Sequence, residues 1–179
     1  MSGLYEDGRV CGSPSEHLTI NKCGRIAGHG GVSVGSEVAG GMKRAAISNC
    51  VFDGTDAGIR LKSSRGRGGV VEMIRVDNIG MNTIQRNAFI FDLFYDKESE
   101  EEPVSDRTPV FRNIHLSNIT GQDVKKVGYI TGISEMPIDE ISFSNVNMVA
   151  EEGFTAKTAT NIQFHNVDLA VKKGASFAF

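Results

Sequence analysis

The stretch ISFSNV (Ile141–Val146) alternates apolar and polar residues and has an asparagine before its last apolar residue. This pattern recurs along the chain. Its other copies are AISNC (46–50), IRVDNI (74–79), IHLSNI (114–119) and IQFHNV (162–167), and an earlier copy, LTINKC (18–23), has lysine in place of the asparagine. Period-two alternation in units this short and this rich in β-branched residues predicts strands that bury one face.

The spacing of these units indicates how the strands are arranged. Measured between their last residues, the steps are 27, 29, 40, 27 and 21 residues. A second strand-like segment follows most units: VSVGS (32–36), IRLKS (59–63), AFIFDLF (88–94) and GYITGI (128–133). Val32 and Ile59 are 27 residues apart, as are Cys23 and Cys50, so two columns of strands share one period. A chain that coils, with each coil paired to the next about 4.8 Å away, produces such a shared period.

The repeat therefore predicts an all-β chain that folds as a right-handed parallel β-helix, with residues 1–179 in one domain. The recurring asparagine fits this fold, because an asparagine at a turn can bond to its own backbone and can stack in a ladder. A β-sandwich of short strands is the alternative, but it leaves the shared step unexplained. The step of 40 residues contains an acidic, proline-bearing segment at about 96–109, which we expect to be a surface loop.

The composition narrows the class of protein. Hydrophobic residues make up 40% of the chain and charged residues 23%, as in ordinary globular domains. The net charge of −3 argues against general nucleic-acid binding. No apolar run is long enough to cross a membrane, and the first residues lack the features of a signal peptide. Cys11, Cys23 and Cys50 match neither a disulfide framework nor a zinc pattern, so we expect buried free thiols.

The 27-residue step also places particular side chains on the outer surface. It stacks Ser33 under Arg60, and Arg60 and Lys62 then share the outward face because they are two residues apart on a strand. His29 has the parity of Ser33 and reaches the same face if its strand begins that early. Two cations above a glycine-rich segment suggest an anionic ligand, such as a carboxylate. On geometry alone, two ordinary solvated charges and a turn histidine remain an open alternative.

Three segments around these residues resemble a known family. They are GHGGVSVGSE (28–37), GTDAGIRLK (54–62) and GRGG (66–69). Together they resemble glycoside hydrolase family 28, the polygalacturonases and related pectin-degrading enzymes. That family has a G-H-G motif before a short strand and an R-I-K motif one coil later, where this chain has Arg60-Leu61-Lys62. The resemblance begins near residue 6 and is dense over the first 95 residues.

The resemblance implies a pectin-lyase-like β-helix that hydrolyses the α-1,4-galacturonosidic bonds of pectin with inversion. It implies that His29 is the active-site histidine and that Arg60 and Lys62 bind the galacturonate carboxylate. The implied partner is an acidic polysaccharide or oligogalacturonide, with no metal ion, organic cofactor, nucleic acid or membrane. The family is secreted or periplasmic, although this chain shows no export signal. Endo or exo action stays open.

One part of the family pattern is missing from this chain. Inverting hydrolysis needs an acid and a base about 6.5–9.5 Å apart. In the family these come from an N-T-D motif and a D-D pair on earlier coils, and neither motif occurs in the 179 residues. We therefore expect the C-terminal portion of such an enzyme, inactive alone, with an exposed first coil that promotes self-association.

Other acids lie close to the predicted site in sequence. They are Glu6, Glu37, Asp53 and Asp56. Acidic side chains in turns usually bond to nearby backbone, so we do not expect two of them to replace the family's acid and base. Two further functions remain open. One is a β-helix that binds acidic polysaccharide without cleaving it. The other is a pectate lyase, which we expect to carry calcium-binding carboxylate clusters that this sequence does not show.

Overall fold

The computed structural model describes residues 12–95 and 100–179, and within these ranges the regular structure consists of ten β-strands. Their bounds are β1 (Ser15–Glu16), β2 (Thr19–Asn21), β3 (Gly24–Gly28), β4 (Val32–Val34), β5 (Met42–Thr55), β6 (Ala57–Lys62), β7 (Val70–Asp92), β8 (Val110–Thr131), β9 (Ile138–Lys157) and β10 (Ala159–Ala178). Every pairing between these strands is parallel. A β-sandwich built from hairpins requires antiparallel neighbours, so that alternative is excluded.

The strands form a solenoid of six coils. Strands β1 to β4 make the first coil and β5 and β6 the second, while β7, β8, β9 and β10 each make one further coil. From the second coil onwards, each coil pairs with the next through long parallel strands. The repeat of strand-length units thus becomes a parallel β-helix, as the sequence predicts. Among the described residues, no helix is long and apolar enough to span a lipid bilayer.

The predicted 27-residue register is confirmed in the first two coils. Val32 pairs with Ile59 and Ser33 pairs with Arg60. Val32 and Ile59 are buried, whereas Ser33 is exposed and Arg60 is half-buried. The alternation therefore directs one column of side chains into the core and the next column to the outer surface.

The recurring asparagines occupy the same corner of successive coils and form what we call the asparagine ladder. It consists of Asn49, Asn78, Asn118, Asn145 and Asn166, all with positive φ between 51° and 55°. Asparagine tolerates this left-handed conformation better than most residues that have a Cβ. Asn78 Nδ2 donates to Asn49 Oδ1 at 2.7 Å, and Asn145 Nδ2 donates to Asn118 Oδ1 at 3.1 Å. Lys22 has the same conformation in the first coil, with a φ of 56°.

The core is richest in aromatic side chains towards the later coils. The ring of Phe143 contacts four others, with centroids 5.3–6.4 Å away: Phe89, Phe91, Phe154 and Phe164. In the first coil, by contrast, every residue of β3 is exposed, including Ile26 at 87%. Burial therefore follows the number of neighbouring coils.

The two described cysteines differ in burial in the same way. Cys50 is buried in the second coil, as expected, but Cys23 is exposed in the first, so the prediction of a buried thiol is wrong for Cys23. The reason is that the first coil has a described neighbour on one side only. Cys11 lies outside the described residues.

The chain between β7 and β8 is irregular where the structure describes it. Residues 100–107 are largely exposed, and Val104 retains 60% of its accessible surface. The rest of this segment, 96–99, lies outside the described residues.

Candidate active site

His29 lies in the turn between β3 and β4 rather than in a strand, so the parity that placed it beside Ser33 does not apply. Its side chain is 95% exposed. Nδ1 of His29 lies 3.0 Å from Oδ2 of Asp56, which occupies the equivalent turn of the second coil. An ionised carboxylate only accepts hydrogen bonds, so Nδ1 is the donor and Nε2 is left to face solvent. Asp56 precedes Arg60 by four residues and so links His29 to the coil that carries Arg60.

Two glycines of the histidine segment allow the first coil to lie close against the second. A Cβ at Gly31 would overlap the ring of Phe52, and a Cβ at Gly35 would overlap the backbone carbonyl oxygen of Lys62. Gly35 also has a φ of +91°, a conformation that disfavours residues with side chains. These positions explain the need for glycine at both ends of β4.

Arg60 and Lys62 project from β6 and meet at one aromatic ring. Nζ of Lys62 lies 3.7 Å and Cζ of Arg60 lies 5.5 Å from the centroid of the Tyr95 ring. Cζ of Arg67, whose residue is only 4% exposed, lies 5.8 Å from the same centroid. Such distances permit cation–π attraction to the ring face. We call Arg60, Lys62, Arg67 and Tyr95 the cationic cluster.

Tyr95 reaches this place because the chain folds back after β7. The backbone N–H of Tyr95 donates to the carbonyl oxygen of Ser63 at 3.2 Å, and Ser64 and Phe94 form an antiparallel bridge. Sequence reasoning missed Tyr95, because it lies three residues beyond the last residue of β7, where the alternation has ended. The signal that could have found it is a tyrosine standing directly between a buried strand and an acidic loop.

A second tyrosine lies one coil further along. Arg60 pairs with Ile90 and Ile90 with Tyr129, so the three residues share one outward column. The hydroxyl of Tyr129 donates to Oδ2 of Asp92 at 3.0 Å. Burial raises the pKa of Tyr129, the negative charge of Asp92 raises it further, and the positive charge of Arg60 opposes both effects. The phenol therefore stays protonated and remains a donor. Neither Asp92 nor Tyr129 was predicted from the sequence.

Arg60 has a donor that the described protein does not satisfy. Its Nε is buried and has no hydrogen-bond partner among the described residues. Buried N–H groups are normally paired with protein, water or ligand.

The loop after β6 is anchored behind the cationic cluster. Arg65 forms an ion pair with Glu135, in which Nη2 donates to Oε2 at 2.8 Å and both side chains are less than one-tenth exposed. Hydrogen bonds from Arg65 lower the pKa of Glu135 to about 2, against the opposing effect of burial. Cζ of Arg65 also lies 5.1 Å from the Phe94 ring centroid. This ion pair joins the second coil to the turn that follows the fourth.

The other acids near the site have separate roles. Oδ1 of Asp53 accepts a hydrogen bond from Asn82 at 3.0 Å, Asp56 contacts His29, and Glu37 lines an open cavity beside the first coil. Glu6 lies outside the described residues. In the part of the chain that the structure describes, no three His, Cys, Asp or Glu side chains converge as metal ligands do.

Comparison with known proteins identifies the family. The family model described as "Glycosyl hydrolases family 28" matches residues 7–174. A probable polygalacturonase from Vitis vinifera is 29% identical over 148 residues, which are 82% of this chain and 30% of that protein. An endo-polygalacturonase from Pectobacterium carotovorum subsp. carotovorum is 27% identical over 133 residues, 74% of this chain and 31% of that protein. The chain thus spans about 30% of the length of these curated relatives.

The solved structures support the same conclusion for the fold. A hyperthermoactive exopolygalacturonase from Thermotoga maritima superposes with a TM-score of 0.73 at 24% identity, over 89% of this chain and 36% of that one. This likeness confirms the predicted right-handed parallel β-helix. By its match to the family model, which extends over nearly the whole chain, the protein belongs to glycosyl hydrolase family 28.

Proposed function

We propose that this chain forms the substrate-carboxylate side of a polygalacturonase active site. The observation that carries the proposal is the cationic cluster, in which Arg60 and Lys62 project side by side next to Tyr95. In a member of family 28, such a surface suits galacturonate, because each sugar carries a carboxylate beside an apolar ring face.

The residues take distinct roles in this proposal. Arg60 lies beside the Tyr95 ring, and its guanidinium group can bind a carboxylate through a fork of donors. Lys62 adds a point charge, and the ring of Tyr95 offers a face against which a sugar ring can pack. His29, oriented by Asp56, presents Nε2 as a further hydrogen-bonding group. We propose hydrolysis of α-1,4-galacturonosidic bonds of pectin, with inversion, as the activity to which this surface contributes, and a location outside the cytoplasm for the whole enzyme.

Binding and bond cleavage are separate in this proposal. Inverting hydrolysis requires one carboxyl group as acid and another as base. The family's N-T-D and D-D motifs do not occur in the 179 residues. We therefore propose that this chain alone binds oligogalacturonides and does not hydrolyse them. A reducing-sugar assay on polygalacturonate tests this, and unsaturated products that depend on calcium would indicate a lyase instead.

The decisive experiment compares ligands and variants by calorimetry. The chain should bind trigalacturonate and not maltotriose, which lacks carboxylates. Arg60→Gln and Lys62→Gln should each weaken binding by about 1–3 kcal/mol, the scale of a charged hydrogen bond. Lys172→Gln serves as the control, because Lys172 is an exposed lysine on β10, in the last coil. Unchanged affinity in both folded site variants would overturn the proposal.

The same missing acid and base favour a second candidate, a β-helix module that only binds acidic polysaccharide. Adding the missing part of the site distinguishes the two. A longer chain that carries both carboxylate motifs should cleave polygalacturonate if the first proposal holds. A longer chain that binds the polymer and leaves it intact supports the binding module.

The exposed first coil leads to a proposal about assembly. Ile26 is 87% and Leu18 is 40% exposed there, and among the described residues β3 pairs with β5 alone. A strand edge without a partner is a template for pairing with another chain. We propose that the chain self-associates through this coil. Sedimentation over a range of concentrations tests it, and a monomer at all of them contradicts it.

A further inference from the structure

We infer that Asp92 and Tyr129 are positioning residues that hold Tyr95 against Arg60 and Lys62. The inference rests on the proposed function for the nature of the ligand, but its structural part can be tested without any ligand. It assigns a role to two side chains outside the G-H-G and R-L-K segments.

A hydrogen bond joins the two positioning residues. Tyr129 follows Asp92 by one coil, and both side chains are half-buried on the outward face. The Tyr129 hydroxyl donates to Oδ2 of Asp92 at 3.0 Å. A bond between a hydroxyl and a carboxylate is among the stronger hydrogen bonds in proteins. It fixes the orientation of the Asp92 carboxylate.

Asp92 also bonds to the backbone of the turn that carries Tyr95. Oδ1 of Asp92 accepts a hydrogen bond from the backbone N–H of Phe94 at 2.8 Å. An aspartate that bonds to the backbone two residues ahead imposes a turn. The turn brings Phe94 into its bridge with Ser64 and directs Tyr95 back over the end of β6.

Lys62 has both Asp92 and the Tyr95 ring near it. Lys62 and Asp92 are register partners on adjacent strands, so the carboxylate is a potential competitor for the ammonium group. Both Asp92 oxygens are instead engaged, one by Tyr129 and one by Phe94. Lys62 faces the ring of Tyr95, 3.7 Å from its centroid. Lys62 is thus held over the Tyr95 ring, beside Arg60.

A merely structural role predicts something different. Asp77, on the same strand β7, also accepts two hydrogen bonds from the next coil, at 2.7 Å each from Ser117 and Asn118. It lies at the corner of the asparagine ladder, away from the cationic cluster. If Asp92 only joined coils, Asp92→Asn and Asp77→Asn would affect the protein alike.

The test uses Tyr129→Phe, Asp92→Asn and the matched control Asp77→Asn in the full 179-residue chain. Tyr129→Phe keeps the ring and removes only the hydroxyl, so it preserves the packing. The first readout is the carbon–proton NMR spectrum of the Lys62 ε-methylene group, whose protons should be shifted upfield by the ring current of Tyr95. Tyr95→Ala gives the unshifted reference.

We expect the Lys62 signal to move towards the reference in Tyr129→Phe and Asp92→Asn and to stay in place in Asp77→Asn. Affinity for trigalacturonate should fall roughly tenfold in the first two variants, the scale of one lost hydrogen bond to a charged group. An unmoved Lys62 signal in both folded variants overturns the inference. A chain that does not bind trigalacturonate at all refutes the proposed function, while the NMR readout still decides the positioning role.

Discussion

The first coil and the later coils carry the same repeat but differ in how much of it they bury. In the first coil, strands β1 to β4 have two to five residues each, and Ile26 in β3 is 87% exposed. Strands β7, β8 and β9 run for 20 to 23 residues, and Phe143 in β9 is 2% exposed. The third, fourth and fifth coils have a neighbour on both sides, whereas the first has a described neighbour on one side only.

Burial of side chains in this solenoid therefore depends on the neighbouring coils as much as on the sequence of the coil itself. The candidate site spans both regions. His29 belongs to the sparsely packed first coil, and the cationic cluster belongs to the densely packed coils that follow. Segments with few buried contacts open at low free-energy cost. We therefore expect the His29 turn to be less rigid than the surface formed by Arg60 and Lys62.

The largest effect should come from a direct comparison of the two cores. Phe143→Ala removes the ring that packs against four others, and should lower the free energy of unfolding by about 3–5 kcal/mol. Ile26→Ala in the first coil should change it by less than about 0.5 kcal/mol, because the side chain is already exposed. Urea unfolding measures both. Similar losses in the two variants would contradict the difference between the regions.

The next effect concerns the ion pair that ties the second coil to the end of the fourth. Glu135→Gln removes the negative charge from a buried ion pair with Arg65, and should cost about 2–3 kcal/mol of unfolding free energy. Glu151→Gln is the control, since Glu151 pairs with Lys125 on an exposed surface and should have a smaller effect. Thermal unfolding compares them. Equal losses would show that the Arg65 pair is not a special link between coils.

The same pair should make stability sensitive to acid. The folded-state pKa of Glu135 is about 2, below the ordinary value of 4.5, because Arg65 donates hydrogen bonds to the carboxylate. A lowered pKa means that the contribution is complete above pH 4.5 and disappears as the pH falls towards 2. The urea midpoint should therefore fall over this range, and fall less in Glu135→Gln. Identical pH profiles for the two proteins would contradict the assignment.

The smallest effect should come from extending the ladder into the first coil. Lys22 has the left-handed conformation of the ladder asparagines, with a φ of 56°, which a lysine adopts at some cost. Lys22→Asn should raise the unfolding free energy by about 0.5 kcal/mol, because asparagine tolerates this conformation better. Asn49→Lys makes the reverse change one coil later and should destabilise. Differential scanning calorimetry resolves such shifts, and a lower melting temperature for Lys22→Asn would refute the argument.

The sequence predicts most of the fold because the repeat is explicit. Alternation sets which residues face inward, and the 27-residue step places Ser33 under Arg60 before any coordinates are known. The exposure of Cys23 was not predictable in this way, since the alternation of a repeat unit does not show whether another coil lies beside it. The exposure of a side chain in the first described coil depends on which coils lie beside it, and not on the sequence of that coil alone.

The direction in which site residues project was predictable from the repeat only where they lie on strands. Arg60 and Lys62 follow from the register of β6, but His29 lies in a turn, where the parity of a strand has no meaning. Tyr95 reaches Lys62 through a reversal of the chain after β7, directed by Asp92. The alternation that predicts the strands ends at Asp92 and does not show this reversal, so Tyr95 was missed even though it completes the same surface.

The asparagine ladder has a consequence for how this chain can vary. Hydrogen bonds between its side-chain amides join residues 29 apart between the second and third coils, 27 apart between the fourth and fifth, and 21 apart between the fifth and sixth. Between the third and fourth coils the register step is 40 residues. The corner that carries the ladder therefore stays in register from coil to coil. Differences in coil length are taken up elsewhere in each coil. A lineage can therefore lengthen or shorten loops such as the one between β7 and β8 without shifting the asparagine ladder.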